Sequence, residues 1–151
     1  MAEQDAATLP TGEWLSALYE LSLTCAGSPA RETRDRVREM NALLLCAPST
    51  GLPQGLRALG PARLEALLAA AAYETAVMAM LDRGAGFLLS RSGDGDSLAT
   101  VALPGSLREK SGSAATPALA LVCALALALS NAVPGGVTRV RRTADARAAL
   151  H

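Results

Sequence analysis

Apolar positions along this chain recur at two different spacings, and the change from one to the other divides it. Early on they fall three or four residues apart. Trp14, Leu18, Leu21 and Cys25 make one stripe with Glu13 and Glu20 off it, Thr11 is placed to cap the segment, and Gly27 ends it. Ser28-Pro29 opens a second helical segment whose inner face is Val37, Met40, Leu43 and Leu44. Its outer face is charged, with Arg31 and Asp35, and Glu32 and Arg36, standing four apart. Residues 48–53 are a loop by composition, and a short helical turn is expected around Leu56 and Leu59. Gly60-Pro61 then starts what reads as the longest helix, running to about Asp82. Leu64, Leu67, Leu68, Ala71, Met78 and Leu81 form one of its faces and Tyr73, Val77 and Met80 a second, a pattern that belongs at the centre of a domain.

Past Gly84 and Gly86 the pattern becomes strand-like. Residues 87–91 and 98–103 flank a polar stretch in which Asp94-Gly95 supplies the positive φ angles of a tight turn, so an antiparallel β-hairpin is expected. A two-stranded ribbon is marginal in water, and both faces of this one carry apolar side chains, so something must cover it. Residues 104–115 are polar and rich in Gly and Ser, contain the only lysine, Lys110, and read as a flexible link. The Leu/Ala alternation from Ala118 to Leu129 fits a strand as well as a helix. Propensity favours the helix: Ala and Leu dominate, Thr116 and Pro117 form a cap and first-turn proline, and Asn131 with Pro134-Gly135-Gly136 gives a stop. Such a helix is apolar around most of its circumference and is expected to be buried.

The expected architecture is α+β and mostly helical, with the hairpin packed against the C-terminal Leu/Ala-rich helix and the long central helix. One domain spans residues 11–134, between a disordered arm (1–10) and a basic, disordered tail (135–151). With 151 residues, half of them apolar, the chain suits a single core.

The formal net charge is zero, which argues against electrostatic attraction to nucleic acid or membrane as the main activity. Cys25, Cys46 and Cys123 are odd in number and widely spaced, so reduced, buried thiols are expected rather than a disulfide framework or a metal site. The acidic start, with no apolar run behind it, leads to the expectation of no signal peptide, and residues 117–132 fall short of the roughly 20 apolar residues of a spanning helix. A cytoplasmic setting without membrane contact is the expectation.

Candidate chemistry is thin. The one histidine is His151, so histidine triads, histidine zinc sites and a histidine general base have no basis. Glu65, Glu74 and Asp82 stand nine and eight residues apart, on different sides of the expected helix, which makes a carboxylate-dependent enzyme the weakest reading. Asp94-Gly95-Asp96 is turn chemistry, because strand residues begin before a calcium loop could close. Cys123 has no basic neighbour in sequence and reads as a core thiol. No cofactor is expected.

The run from Leu98 to Leu103, the link, and Ala115-Thr116-Pro117-Ala118-Leu119-Ala120 together resemble the end of the small phage "ABA sandwich" domains. In those, a strand is followed by a Thr-Pro helix start and an Ala-rich helix. The resemblance covers about a third of the chain. It implies a small accessory protein of a phage or integrated element with no known catalysis, and it carries over no functional residue.

The first functional expectation is therefore a non-enzymatic accessory or protein-interaction protein that self-associates, with a dimer favoured and a different protein partner left open. Phe87, Leu89, Leu98, Val101 and Leu103 are the candidate contacts, since two hairpins could merge into a four-stranded sheet. The alternative is a small nucleic-acid-binding regulator that uses Arg31, Arg34 and Arg38 on the second helix and Arg139, Arg141 and Arg142 in the tail. Three tail arginines give only weak, salt-sensitive attraction.

Overall fold

The computed structural model describes residues 7–106 and 108–132. Helical spacing gathers Trp14, Leu18, Leu21 and Cys25 on one side of α1 (Thr11–Gly27), and all four are buried. Ser28 and Pro29 do not start the next helix as their sequence suggests. The Ser28 hydroxyl turns back to donate to the Thr24 carbonyl at 2.7 Å, and a 3₁₀ turn (Ala30–Glu32) leads into α2 (Thr33–Leu45). Val37, Met40 and Leu44 of α2 face inward, and the Leu43 carbonyl accepts the Trp14 indole N–H at 2.7 Å, joining α1 to α2.

The expected long central helix is two helices, α3 (Pro61–Ala69) and α4 (Tyr73–Met80). The break falls in the alanine run. Ala71 adopts φ +55°, the Ala72 N–H donates to Leu67 O at 2.9 Å, and the Ala71 N–H donates to Leu68 O at 3.0 Å. This is a Schellman ending with alanine in the left-handed position that glycine normally takes. Alanine carries no break signal of its own, which is why the pattern reads as continuous. Nor do Leu56 and Leu59 form a helical turn: Leu56 makes an isolated antiparallel bridge to Leu81, and buried Leu59 is bound through its backbone by Asn41.

β1 (Gly86–Arg91) and β2 (Ser97–Ala102) form the expected hairpin, with Phe87 opposite Val101 and Leu89 opposite Ala99. Its turn differs in detail. The Gly95 N–H donates to Ser92 O at 3.1 Å and only Gly95, at φ +99°, is left-handed, so this is a three-residue loop rather than the two-residue turn in which both central residues have positive φ. The supposed flexible link supplies a third strand, β3 (Lys110–Ala114), paired antiparallel to β2. The sheet order is β1-β2-β3.

α5 (Pro117–Ala132) starts where expected, with the Thr116 hydroxyl oxygen accepting the Leu119 N–H at 3.2 Å. The Thr33 hydroxyl donates to Ala30 O at 2.7 Å, so at the 3.1 Å contact between the two threonines Thr116 is the donor, and the starts of α2 and α5 are linked. α5 is buried along nearly its whole length. It lies between β2 and β3 on one side and α1 on the other, with α2 and α4 alongside. Among the described residues no helix is long and apolar enough to cross a membrane.

Candidate functional site

Open sheets expose two margins, and here they differ. β3 presents Lys110, Ser111, Gly112 and Ser113, a polar margin of the kind that resists pairing with another strand. β1 presents Phe87, Leu88 and Leu89 with no charge before Arg91, and every one of its residues is exposed.

The register sorts these side chains by face. Phe87 and Leu89 oppose Val101 and Ala99, and so point to the α5 side, whereas Leu88 opposes Thr100 on the open side, diagonal to Leu98. Val101 is 0% exposed beneath α5, yet Phe87 and Leu89 on the same face are 40% and 38% exposed. The helix covers the middle strand and stops short of the outer one. On the open face Leu88 is 70% and Leu98 40% exposed, so the hairpin carries exposed apolar side chains on both faces.

The hairpin also fixes where the β1 backbone points. The Ser92 N–H donates to Asp96 O at 2.8 Å. Alternation along an antiparallel ladder then directs the N–H and C=O of Leu88 and Ser90 toward β2, and those of Phe87 and Leu89 outward to solvent. Beside this edge, on the α5 face, runs a groove of about 380 Å³ lined by Leu89, Arg91, Ser97, Ala115 and Pro117 among others. A second groove, of about 350 Å³, lies between α1 and α2 and is flanked by Glu20 and Glu39.

Of the five residues expected to mediate self-association, Phe87, Leu89 and Leu98 are exposed, the first two on the α5 face of β1 and Leu98 on the open face of β2. Val101 and Leu103, at 0% and 4% exposure, belong to the core of the single subunit, because the α5 face of β2 is already covered. Leu88 joins the exposed set. Its signal was present in sequence, an apolar residue flanked by two others on a strand, but which margin was free depended on the unexpected third strand.

The arginines of α2 are tied to acids and carbonyls of their own subunit. Arg38 makes a two-pronged contact with Glu65 at 3.0 and 2.8 Å and approaches Asp35 at 3.6 Å. Arg34 donates to Leu68 O at 3.3 Å, and Glu39 holds Arg36 at 2.7 Å. Arg31 is exposed. The hydrogen bonds from Arg38 hold the Glu65 carboxyl below the usual carboxylate range. Arg139, Arg141, Arg142 and His151 lie outside the described residues.

The remaining candidate acids do not converge with Glu65. Glu74 is half-buried in the first turn of α4, and exposed Asp82 accepts the Arg83 N–H at 2.8 Å. In the hairpin loop Asp94 accepts from the Ser92 hydroxyl and then from the Asp96 N–H, which lowers its pKa. Cys25, Cys46 and Cys123 are free thiols. Burial pushes Cys25 up to about 12, with the Cys123 thiol adding to the effect, and burial also raises Cys123. Neither has the lowered pKa of a reactive nucleophile. Among the described residues no three His, Cys, Asp or Glu side chains gather as a metal site would require.

No protein-family model, curated protein or solved structure matches this chain.

Proposed function

We propose that this chain acts as a small accessory interaction protein in a cytoplasmic setting, and that it self-associates through β1. One observation carries the reading: the outer strand pairs uncapped backbone groups with exposed Phe87, Leu88 and Leu89. Single exposed apolar residues are ordinary on protein surfaces, but a contiguous set on an unprotected strand edge invites another strand. Antiparallel pairing of two β1 strands about a two-fold axis would extend two three-stranded sheets into one continuous sheet. An edge contact of this length, roughly 20 Å, falls at the small end of interface sizes, so the association is expected to be reversible, with micromolar or weaker affinity.

Light scattering coupled to size-exclusion chromatography tests this across a concentration series. The wild-type mass should climb from that of one chain toward that of two. Leu88→Lys should hold the mass at one chain while leaving the circular dichroism spectrum unchanged, because Leu88 is exposed on the open face and a lysine on an edge opposes pairing. A wild-type protein that stays monomeric up to its solubility limit would defeat the proposal.

A further inference from the structure

The geometry points to one particular pairing, in which Leu88 lies on the two-fold axis and the partner's Phe87 enters the groove beside Leu89. This inference rests on the reading of β1 as the self-association edge and specifies how the second copy fills it.

Two antiparallel strands related by a two-fold axis keep each face of the sheet on the same side, so opposed residues must both point to the α5 face or both to the open face. That restricts the axis to a residue position, and three positions near the strand centre are available. With the axis at Phe87, Leu88 would oppose the partner's Gly86 and remain largely bare. With the axis at Leu89, Leu88 would oppose the partner's Ser90, and Phe87 the partner's Arg91. With the axis at Leu88, Leu88 meets the partner's Leu88 on the open face, and Phe87 meets the partner's Leu89 twice over on the α5 face. Only this last register sets apolar against apolar at all three positions.

The backbone agrees with it. The outward N–H and C=O groups belong to Phe87 and Leu89, the residues that this register opposes, so each satisfies the other's donor and acceptor.

The groove supplies the anchor. Its lining includes Leu89, Arg91 and Pro117, and it lies on the face to which the partner's Phe87 would project, opposite Leu89. An aromatic ring there would pack on Leu89 and Pro117, with the Arg91 guanidinium able to lie over it. It also adds buried area to an interface that would otherwise be small, in the manner of an aromatic anchor seated in a pocket. Charge offers no opposition: the chain is net neutral, and the paired stretch carries no charged residue.

Cysteine scanning along β1 tests the register. Under mild oxidation, with wild type reporting the background from Cys46 and the two buried thiols, Leu88→Cys should cross-link to itself efficiently. Phe87→Cys and Leu89→Cys should each cross-link poorly alone, and well when mixed. Phe87→Ala should weaken dimerisation on the order of tenfold or more, as expected for a pocket-seated aromatic. If wild type dimerises but Leu88→Cys fails to cross-link, or Phe87→Cys or Leu89→Cys cross-links to itself best, the register is wrong while self-association stands. If wild type never dimerises, both fall.

Discussion

Gly112 of β3 lies so close to α5 that a β-carbon on it would stand 2.7 Å from the Cys123 Sγ. The Ala124 backbone nitrogen would be 3.0 Å away, so more than a flexible side chain would have to yield. The glycine that makes residues 104–115 look like a link is what lets that segment pack as a strand on the buried helix. Gly112→Ala should therefore destabilise the fold by about 1–3 kcal/mol through overpacking. Urea denaturation with an unchanged m-value checks this, and a variant as stable as wild type would mean that β3 does not sit against α5.

Ala71 gives the opposite expectation. Its left-handed backbone costs a non-glycine residue roughly 1–2 kcal/mol, and the residue is exposed, so Ala71→Gly meets no packing penalty. The added freedom of glycine in the unfolded chain offsets part of the relief, leaving a net gain of up to about 1 kcal/mol. A higher thermal midpoint for Ala71→Gly confirms the break between α3 and α4. A lower one would support the uninterrupted helix that the sequence suggests.

Buried Asn41 grips Leu59 from both sides, accepting its N–H at 2.7 Å and donating to its carbonyl at 2.9 Å. This holds an extended loop against the core where no sheet is available to pair with it. Asn41→Ala strands two buried backbone groups and should cost at least about 2 kcal/mol, read from chemical denaturation.

Glu65 provides a pH signature. Because Arg38 lowers its folded-state pKa below the unfolded value, the stabilisation is present above the ordinary carboxylate range, near pH 4, and is lost as pH falls through the lower folded-state value. Asp94 acts with the same sign. Thermal midpoints measured from pH 7 downward should fall less steeply for Glu65→Gln than for wild type. The effect is expected to be small, since the pair is at the surface.

The thiols should separate by access. Cys46 is half-buried at the end of α2, whereas Cys25 and Cys123 are buried and their pKa values raised. A disulfide-exchange reagent near neutral pH should modify one thiol per chain readily and the other two only on unfolding.

Much of this fold is legible in the sequence where local chemistry and burial agree. The α1 stripe, the Thr116-Pro117 start of α5 and the antiparallel pairing of the hairpin read correctly from periodicity, cap and turn residues. Pro10 rather than Thr11, however, stands at the N-cap of α1, with no side-chain cap bond, and the Asp-Gly turn is a three-residue loop. What escapes is set by tertiary contact. β3 is a polar Gly/Ser segment made into a strand by pairing with β2 and by the room that Gly112 leaves for Cys123. The α3–α4 break depends on a backbone state that alanine does not advertise. The candidate edge was half legible: Phe87, Leu89 and Leu98 stand where an apolar hairpin would put them. Separating them from Val101 and Leu103 required knowing that α5 covers β2 and not β1.

Residue-resolved hydrogen exchange of the β1 amides at several protein concentrations reaches the central claim most directly. The Leu88 and Ser90 amides face β2 and should be protected at every concentration. The Phe87 and Leu89 amides face outward and should exchange freely in dilute solution, then become protected as concentration rises. Phe87 and Leu89 amides that exchange at the unprotected rate throughout would contradict the account.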